Sequence, residues 1–261
     1  MTGKHRMVRR HHRRVRCLMI LFAGLLLATV ASGRALLNSA ASAKAEQVFA
    51  DQRVAELANA AAAGDAARVH ALVAAGVDPN ARGDRDTTLL EWALLQQSPQ
   101  GIAALLDNGA DSARPGIGGA TVVHMAAMAN APVYLKTLLD HGASPDTPHG
   151  VTQAPPLDAA LMNPQDAAFE LLLAHHADPN RADRLGNTPL HVAAKVHKTR
   201  CVLQLLEAGA DPARRNQQGA TFQTYFNIGP AGGLNPAARA EHEQVEQWLR
   251  QHGVAVERGT P

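Results

Sequence analysis

The sequence predicts an all-α solenoid of about six helix-turn-helix units with projecting β-turn loops. Two markers carry that expectation. The pentapeptides GVDPN, GADSA, GASPD, HADPN and GADPA begin at residues 76, 109, 142, 176 and 209, so they recur every 33 or 34 residues. A second series, TLLEWA, TVVHMA, PPLDAA, TPLHVA and TFQTYF, begins at 88, 121, 155, 188 and 221 and keeps the same period. Two markers locked to one period indicate stacked units of one supersecondary type. Composition agrees: apolar residues are 46% of the chain but aromatics only 3%, which suits helices packed through small and medium side chains.

The chain opens on a different kind of sequence. KHRMVRRHHRRVR is basic, residues 17–31 (CLMILFAGLLLATVA) are apolar, and small residues follow in SGRALLNSAASA. That order is the order of an export signal. Residues 1–43 are therefore expected to be an export signal, with candidate cleavage ends at Ala31-Ser32-Gly33 and Ala41-Ser42-Ala43. The alternative is an uncleaved membrane anchor, although the run is short of the ~20 residues of a full span. The Arg13-Arg14 pair lacks the flanks of a twin-arginine signal, and no cysteine is placed for lipidation. Without this segment the charge reverses: residues 1–43 hold eight Lys/Arg and no acid, leaving 25 − 8 = 17 basic against 23 acidic, a net of −6. A nucleic-acid-binding reading would rest on the signal alone.

Residues 44–52 are expected to be a linker, and 53–261 the array, with units near 53–84, 85–117, 118–151, 152–184, 185–217 and 218–256. In the fifth unit Thr188 can cap a short first helix and Pro189 fits its first turn. In other units Gly64, Asn130 or Pro164 then breaks the chain. A second helix carries paired apolar residues: Leu72-Val73, Leu105-Leu106, Leu138-Leu139, Leu172-Leu173 and Leu205-Leu206. Cys201 aligns with Val69, Ile102, Leu135 and Ala168, so it is expected in the core rather than as a nucleophile. A single pair cannot bury its own stripe, so units stack and need end caps. The first unit lacks the TPLH-type opening, as a cap would. The last carries an insertion near 229–239, after which Val245, Trp248 and Leu249 regain the pattern.

These features resemble the ankyrin-repeat family over roughly residues 53–256, with TPLHVAA at 188–194 the most characteristic stretch. The resemblance implies a protein-binding module whose concave face uses the two residues after the paired alanines of each first helix. Carried over, those positions form a track of Leu95, Met128, Met162, Val196 and Ile228, with Lys195 beside it. It also implies recognition by the projecting loops, 79–87, 112–120, 145–154, 179–187 and 212–220. They hold Arg82, Arg85, Arg114, Arg181, Arg184, Arg214 and Arg215 against Asp84, Asp86, Asp146 and Asp183, a net of 7 − 4 = +3. An acidic patch on a partner protein is the natural complement. His191 resembles the family's structural histidine, which bonds neighbouring repeat backbones. His124, Glu91, Asp158 and Thr224 take its place in other units.

Motifs for chemistry are missing. There is no HExxH, CxxC, EF-hand, Walker loop, GxSxG elbow or dinucleotide fingerprint. The adjacent His175-His176 pair ends a helix, and GIGG at 116–119 lies in a loop between repeats. The expectation is no enzyme, no cofactor, no metal and no nucleic acid, with membrane contact only through residues 1–43 if they are uncleaved. The chain alone is expected to be a monomer. It reads as an exported bacterial adaptor of the periplasm, or of the inner membrane if the anchor stays. An immunity-type protein neutralising an envelope-acting toxin, an accessory factor for an envelope enzyme and a membrane-anchored scaffold all fit this reading.

Overall fold

The computed structural model describes residues 44–227 and 236–257, and among these it contains thirteen α-helices. The expected export signal, Ile228 and most of the 229–239 insertion lie outside the described residues. Among the described residues no helix is long and apolar enough to cross a membrane.

The segment expected to be a linker is structured. Helix α1 (Ala45–Val48) precedes Phe49, and Ala45 and Phe49 are each 1% exposed. Phe49 meets Trp92 edge-on, with ring centroids 5.8 Å apart. The approach is close enough to require glycine at 83, where a Cβ would lie 2.7 Å from the Val48 carbonyl oxygen. One phenylalanine in a short polar stretch gives no periodicity to read, which is why the segment looks like a linker in sequence.

Six helix pairs follow. Helix α2 (Gln52–Ala63) starts at Asp51, whose carboxylate accepts from the Arg53 and Val54 N–H groups, and ends at Gly64 with φ 71°. Its partner is α3 (Ala66–Ala74). The next pairs are α4 (Leu89–Leu95) with α5 (Pro99–Asp107), and α6 (Val122–Met128) with α7 (Pro132–Asp140). Then come α8 (Pro156–Leu161) with α9 (Ala167–Ala174), and α10 (Pro189–Lys195) with α11 (Thr199–Glu207). The last pair is α12 (Phe222–Phe226) with α13 (Pro236–Gln251). The first helices form an inner row in which each packs on the next, and the second helices form an outer row.

The core between the rows follows the sequence pattern. Leu105, Leu138, Leu172 and Leu205 are fully buried, as are Val69, Ile102, Leu135 and Cys201. Each such aliphatic side chain contributes roughly 1.5–3 kcal/mol by leaving water. Burial pushes the Cys201 thiol up to about 12, with nearby Asp166 adding to the shift, so this cysteine behaves as a small apolar filler. At the C-terminal end Val245 and Leu249 are buried and Trp248 is half-buried, stacked on His252 at 3.8 Å.

Polar pins join the units at the loop bases. Asn80 Nδ2 donates to the Gly109 carbonyl at 3.0 Å while its Oδ1 accepts from Asp111 N–H at 2.7 Å. Asn180 makes the same pair of bonds to Gly209 and Asp211 at the same distances. Between them Asp146 Oδ1 accepts from Asp178 N–H at 2.9 Å. The asparagine of GVDPN and HADPN is thus a tie to the next unit as well as a turn residue.

Candidate partner-binding face

The joint residues set the geometry of the face. His191 Nδ1 accepts from Thr188 N–H at 3.2 Å and lies 2.9 Å from the Thr188 hydroxyl, leaving Nε2–H to donate to the Ala220 carbonyl at 3.0 Å. His124 repeats this with Thr121 and the Ala154 carbonyl. A backbone N–H on one nitrogen and a carbonyl on the other select the neutral Nε2–H tautomer. Burial then lowers the His124 pKa to about 4, and lowers that of His191 as well. Glu91 does the same work as an acceptor: it takes Thr88 N–H at 2.9 Å and Ile117 N–H at 3.1 Å. Burial raises its carboxyl to about 7 despite those bonds. These are structural hydrogen-bonders, and no metal-binding group of three or more His, Cys, Asp or Glu occurs among the described residues.

Two of the five joint positions depart from the expectation. Thr224 is exposed, and the preceding Gln223 makes the joint instead: its Nε2 donates to the Ala255 carbonyl at 3.0 Å and its Oε1 accepts from Glu257 N–H at 2.9 Å. A longer amide reaches the chain end that the threonine hydroxyl cannot. Asp158 is 8% exposed and its Oδ1 is buried without a hydrogen-bond partner. Burial raises its pKa well above the usual carboxylate range, Asp183 adds to the shift, and Lys195 opposes it.

The expected inner track lies at one end of successive first helices. Leu95 and Met128 end α4 and α6, Met162 follows α8, and Lys195 and Val196 end α10. Asn163 ties two of these ends together, donating to the Met128 and Ala129 carbonyls at 3.3 and 3.1 Å. Met128 is 36% exposed, whereas Leu95, Met162 and Val196 are half-buried against neighbouring units. Lys195 is exposed along its stem, but its ammonium donates to Asn187 Oδ1 at 2.6 Å and sits 4.4 Å from the Tyr225 ring centroid. Desolvation there lowers its pKa, against the opposing pull of Asp183 and Asp158.

The seven loop arginines divide into two groups. Arg82 donates to the Pro115 carbonyl at 2.7 Å, Arg114 to the Asn80 carbonyl at 3.3 Å and Arg215 to the Gly219 carbonyl at 2.6 Å. These three brace the loops. Among the described residues the side chains of Arg85, Arg181, Arg184 and Arg214 meet no hydrogen-bond or ion-pair partner; Arg85, Arg184 and Arg214 are exposed and Arg181 is half-buried. Sequence reasoning did not single out Val151 and Leu185, which are 55% and 39% exposed at loop tips. The one available signal was their position: apolar residues inside loops that otherwise carry polar and small ones.

Known proteins agree with this geometry. A family model described as ankyrin repeats in many copies matches residues 171–221. Protein PhlB of Serratia liquefaciens is 38% identical over 142 residues, 54% of this chain and 62% of PhlB, so the match spans under two thirds of that relative. The ankyrin repeat domain of Bcl-3, a member of the IkappaB protein family, superposes with a TM-score of 0.59 at 26% identity, covering 72% of this chain and 81% of that one. The human ASB11 ankyrin repeat domain gives 0.55 at 27% identity, covering 77% and 85%. The stacked pairs, the Thr–His joints and these likenesses together place the chain in the ankyrin-repeat family, as a protein–protein interaction module.

Proposed function

We propose that this chain is a non-enzymatic adaptor, exported to the cell envelope, that binds one partner protein through the inner-helix ends and the arginine-bearing loops. The observation that supports this most is the contrast at the ends of the first helices. The alanines Ala126, Ala127, Ala193 and Ala194 are buried, while Met128 and Lys195 directly after them are exposed. A scaffold pinned unit to unit holds these side chains in a fixed row, which favours recognition over chemistry. Three buried titratable groups elsewhere in the scaffold serve its joints: His124 and His191 are each spent on a hydrogen bond to the next unit, and Glu91 on the loop that leads into it.

The test is a double substitution, Met128→Arg with Met162→Arg, in a protein whose circular dichroism is unchanged. Loss of the co-purifying partner is the expected outcome; wild-type yield of the complex would rule out the inner row as the interface. Export rests on the basic–apolar–small order of residues 1–43. Mass spectrometry of the native protein should find an N-terminus after Gly33 or Ala43, whereas an intact Met1 would favour the anchored scaffold. Neutralisation of a toxin and support of an envelope enzyme both require a stable one-to-one complex, and the partner's activity in that complex separates them.

A further inference from the structure

Val151 and Leu185 are more exposed than any described apolar residue of the inner row. They sit on adjacent loop tips, because Arg184 N–H donates to the Thr152 carbonyl at 2.8 Å. The same tie recurs on either side, from Gly150 N–H to the Gly119 carbonyl at 2.7 Å and from Gln217 N–H to the Leu185 carbonyl at 2.9 Å. Successive tips are therefore joined by backbone hydrogen bonds into one ridge. Gly119, at φ 86°, leaves room for Val151: a Cβ there would lie 2.7 Å from Val151 Cγ2. Val151 thus lies back over the preceding tip, which also carries the half-buried Ile117.

Charge along the ridge is uneven. In loop 79–87 two arginines face two aspartates, loop 112–120 adds Arg114, and loop 145–154 adds Asp146. The whole excess therefore falls in the last two loops, where Arg181, Arg184, Arg214 and Arg215 face only Asp183. Asp183 is already engaged, accepting from the N–H groups of Leu185 and Asn187 and from Asn187 Nδ2. At the loop bases the Asp178 and Asp211 carboxylates accept from Asn180 and Ala213 N–H. Arg181, Arg184 and Arg214 are left without a partner among the described residues, in the same two tied loops as the exposed Leu185.

From these two observations we infer that the C-terminal half of the loop ridge, centred on Val151 and Leu185, docks an extended acidic segment of the partner protein. An apolar residue of that segment covers Val151 and Leu185, and its carboxylates meet the guanidinium groups of Arg181, Arg184 and Arg214. This rests on the protein-binding reading above and moves the centre of the contact from the inner-helix ends to the loop tips. Planar guanidinium groups pair with carboxylates through two hydrogen bonds, and each covered aliphatic side chain adds apolar burial. A lipid surface is the weaker fit, because the five loops contain no Trp, Tyr or Phe to anchor at a membrane interface.

The probes are short fluorescein-labelled peptides that alternate Glu pairs with Leu, with Lys/Leu and Glu/Ser peptides as controls, read by anisotropy with the native protein. The Glu/Leu peptide should bind, weaken steeply with added salt, and lose at least about tenfold in affinity, or 1.4 kcal/mol, in Val151→Asp plus Leu185→Asp and in Arg184→Glu plus Arg214→Glu. All four positions are exposed or unpaired, so circular dichroism should be unchanged. Met128→Arg should leave this binding intact. If instead Met128→Arg abolishes it while the ridge variants do not, the ridge is wrong and the inner row stands. Equal binding of the Lys/Leu peptide, no binding of any peptide, or sedimentation with phosphatidylglycerol vesicles in place of peptide binding would each overturn the proposal.

Discussion

The joint between the fourth and fifth units differs from the joint between the fifth and sixth, although the same repeat position makes both. At the later joint His191 stands three residues after Thr188 and reaches the Ala220 carbonyl. At the earlier one Pro155 replaces the threonine and Asp158 the histidine, and Asp158 Oδ1 is buried without a hydrogen-bond partner. The outer helices tell the same story: α9 and α11 scarcely approach each other, while every other neighbouring outer pair packs. Beside the packing of their first helices, polar contacts hold the fourth and fifth units together. Lys198 Nζ lies 2.5 Å from both the Asn163 carbonyl and Asp166 Oδ1, and Arg200 lies 3.1 Å from Glu170. Stacking strength in a repeat array is thus set joint by joint, by whether one capping pair reaches its neighbour.

The largest expected effect lies at the complete joints. His124→Ala removes the donor to the Ala154 carbonyl and strands the buried Thr121 hydroxyl. It should cost roughly 2–4 kcal/mol by urea denaturation, because it combines a lost contact with unsatisfied polar groups. Asp158→Ala should cost far less. A similar loss in both variants would erase the distinction between the joints.

Acidity should separate the joints as well. His124 falls from 6.5 to about 4 on folding, so its contribution is present above pH 6.5 and is lost as pH drops towards 4. Glu91 rises from 4.5 to about 7, so its contribution is present below pH 4.5 and is lost as pH climbs through 7. A plot of urea midpoint against pH should therefore lose its acid limb in His124→Gln and its neutral limb in Glu91→Gln. An unchanged profile in either variant would show that the burial of that group is not what tunes the joint.

A smaller effect sharpens the comparison from the other side. Asp158→Asn should stabilise the protein at neutral pH, and the gain should shrink as pH falls towards the ordinary aspartate range. The double change Pro155→Thr with Asp158→His should add about 1 kcal/mol if a Thr–His pair is what the joint lacks; destabilisation would point to the backbone at Pro155 instead. Lys198→Met should cost about 1–2 kcal/mol, since its ion pair is half-buried. The Arg200→Met change should fall within about 0.5 kcal/mol because that pair is exposed. Equal costs would mean that burial does not rank these two bridges.

Much of the fold was legible because it is local and repeated. The Thr caps, the proline at the first helical turn and the paired leucines each follow from short-range chemistry, and the 33- or 34-residue period copies them along the chain. The candidate site was less legible. Arg82, Arg114 and Arg215 look the same in sequence as Arg184 and Arg214, yet the first three are spent on loop carbonyls. Whether a guanidinium is spent or free depends on a carbonyl that can lie 33 residues away, as Pro115 does from Arg82. Phe49 was unreadable for a related reason: its partner Trp92 belongs to a different unit.

The sequence by itself determined the unit, its period, the core positions including Cys201, and the residues able to serve as joints. Only the tertiary structure decided which joints close. A side chain's hydrogen-bonding capacity is a property of the residue, but its satisfaction depends on reach and on the backbone group that the next unit presents. His191 meets such a group, Asp158 does not, and Gln223 takes over a task that the repeat pattern assigns to Thr224.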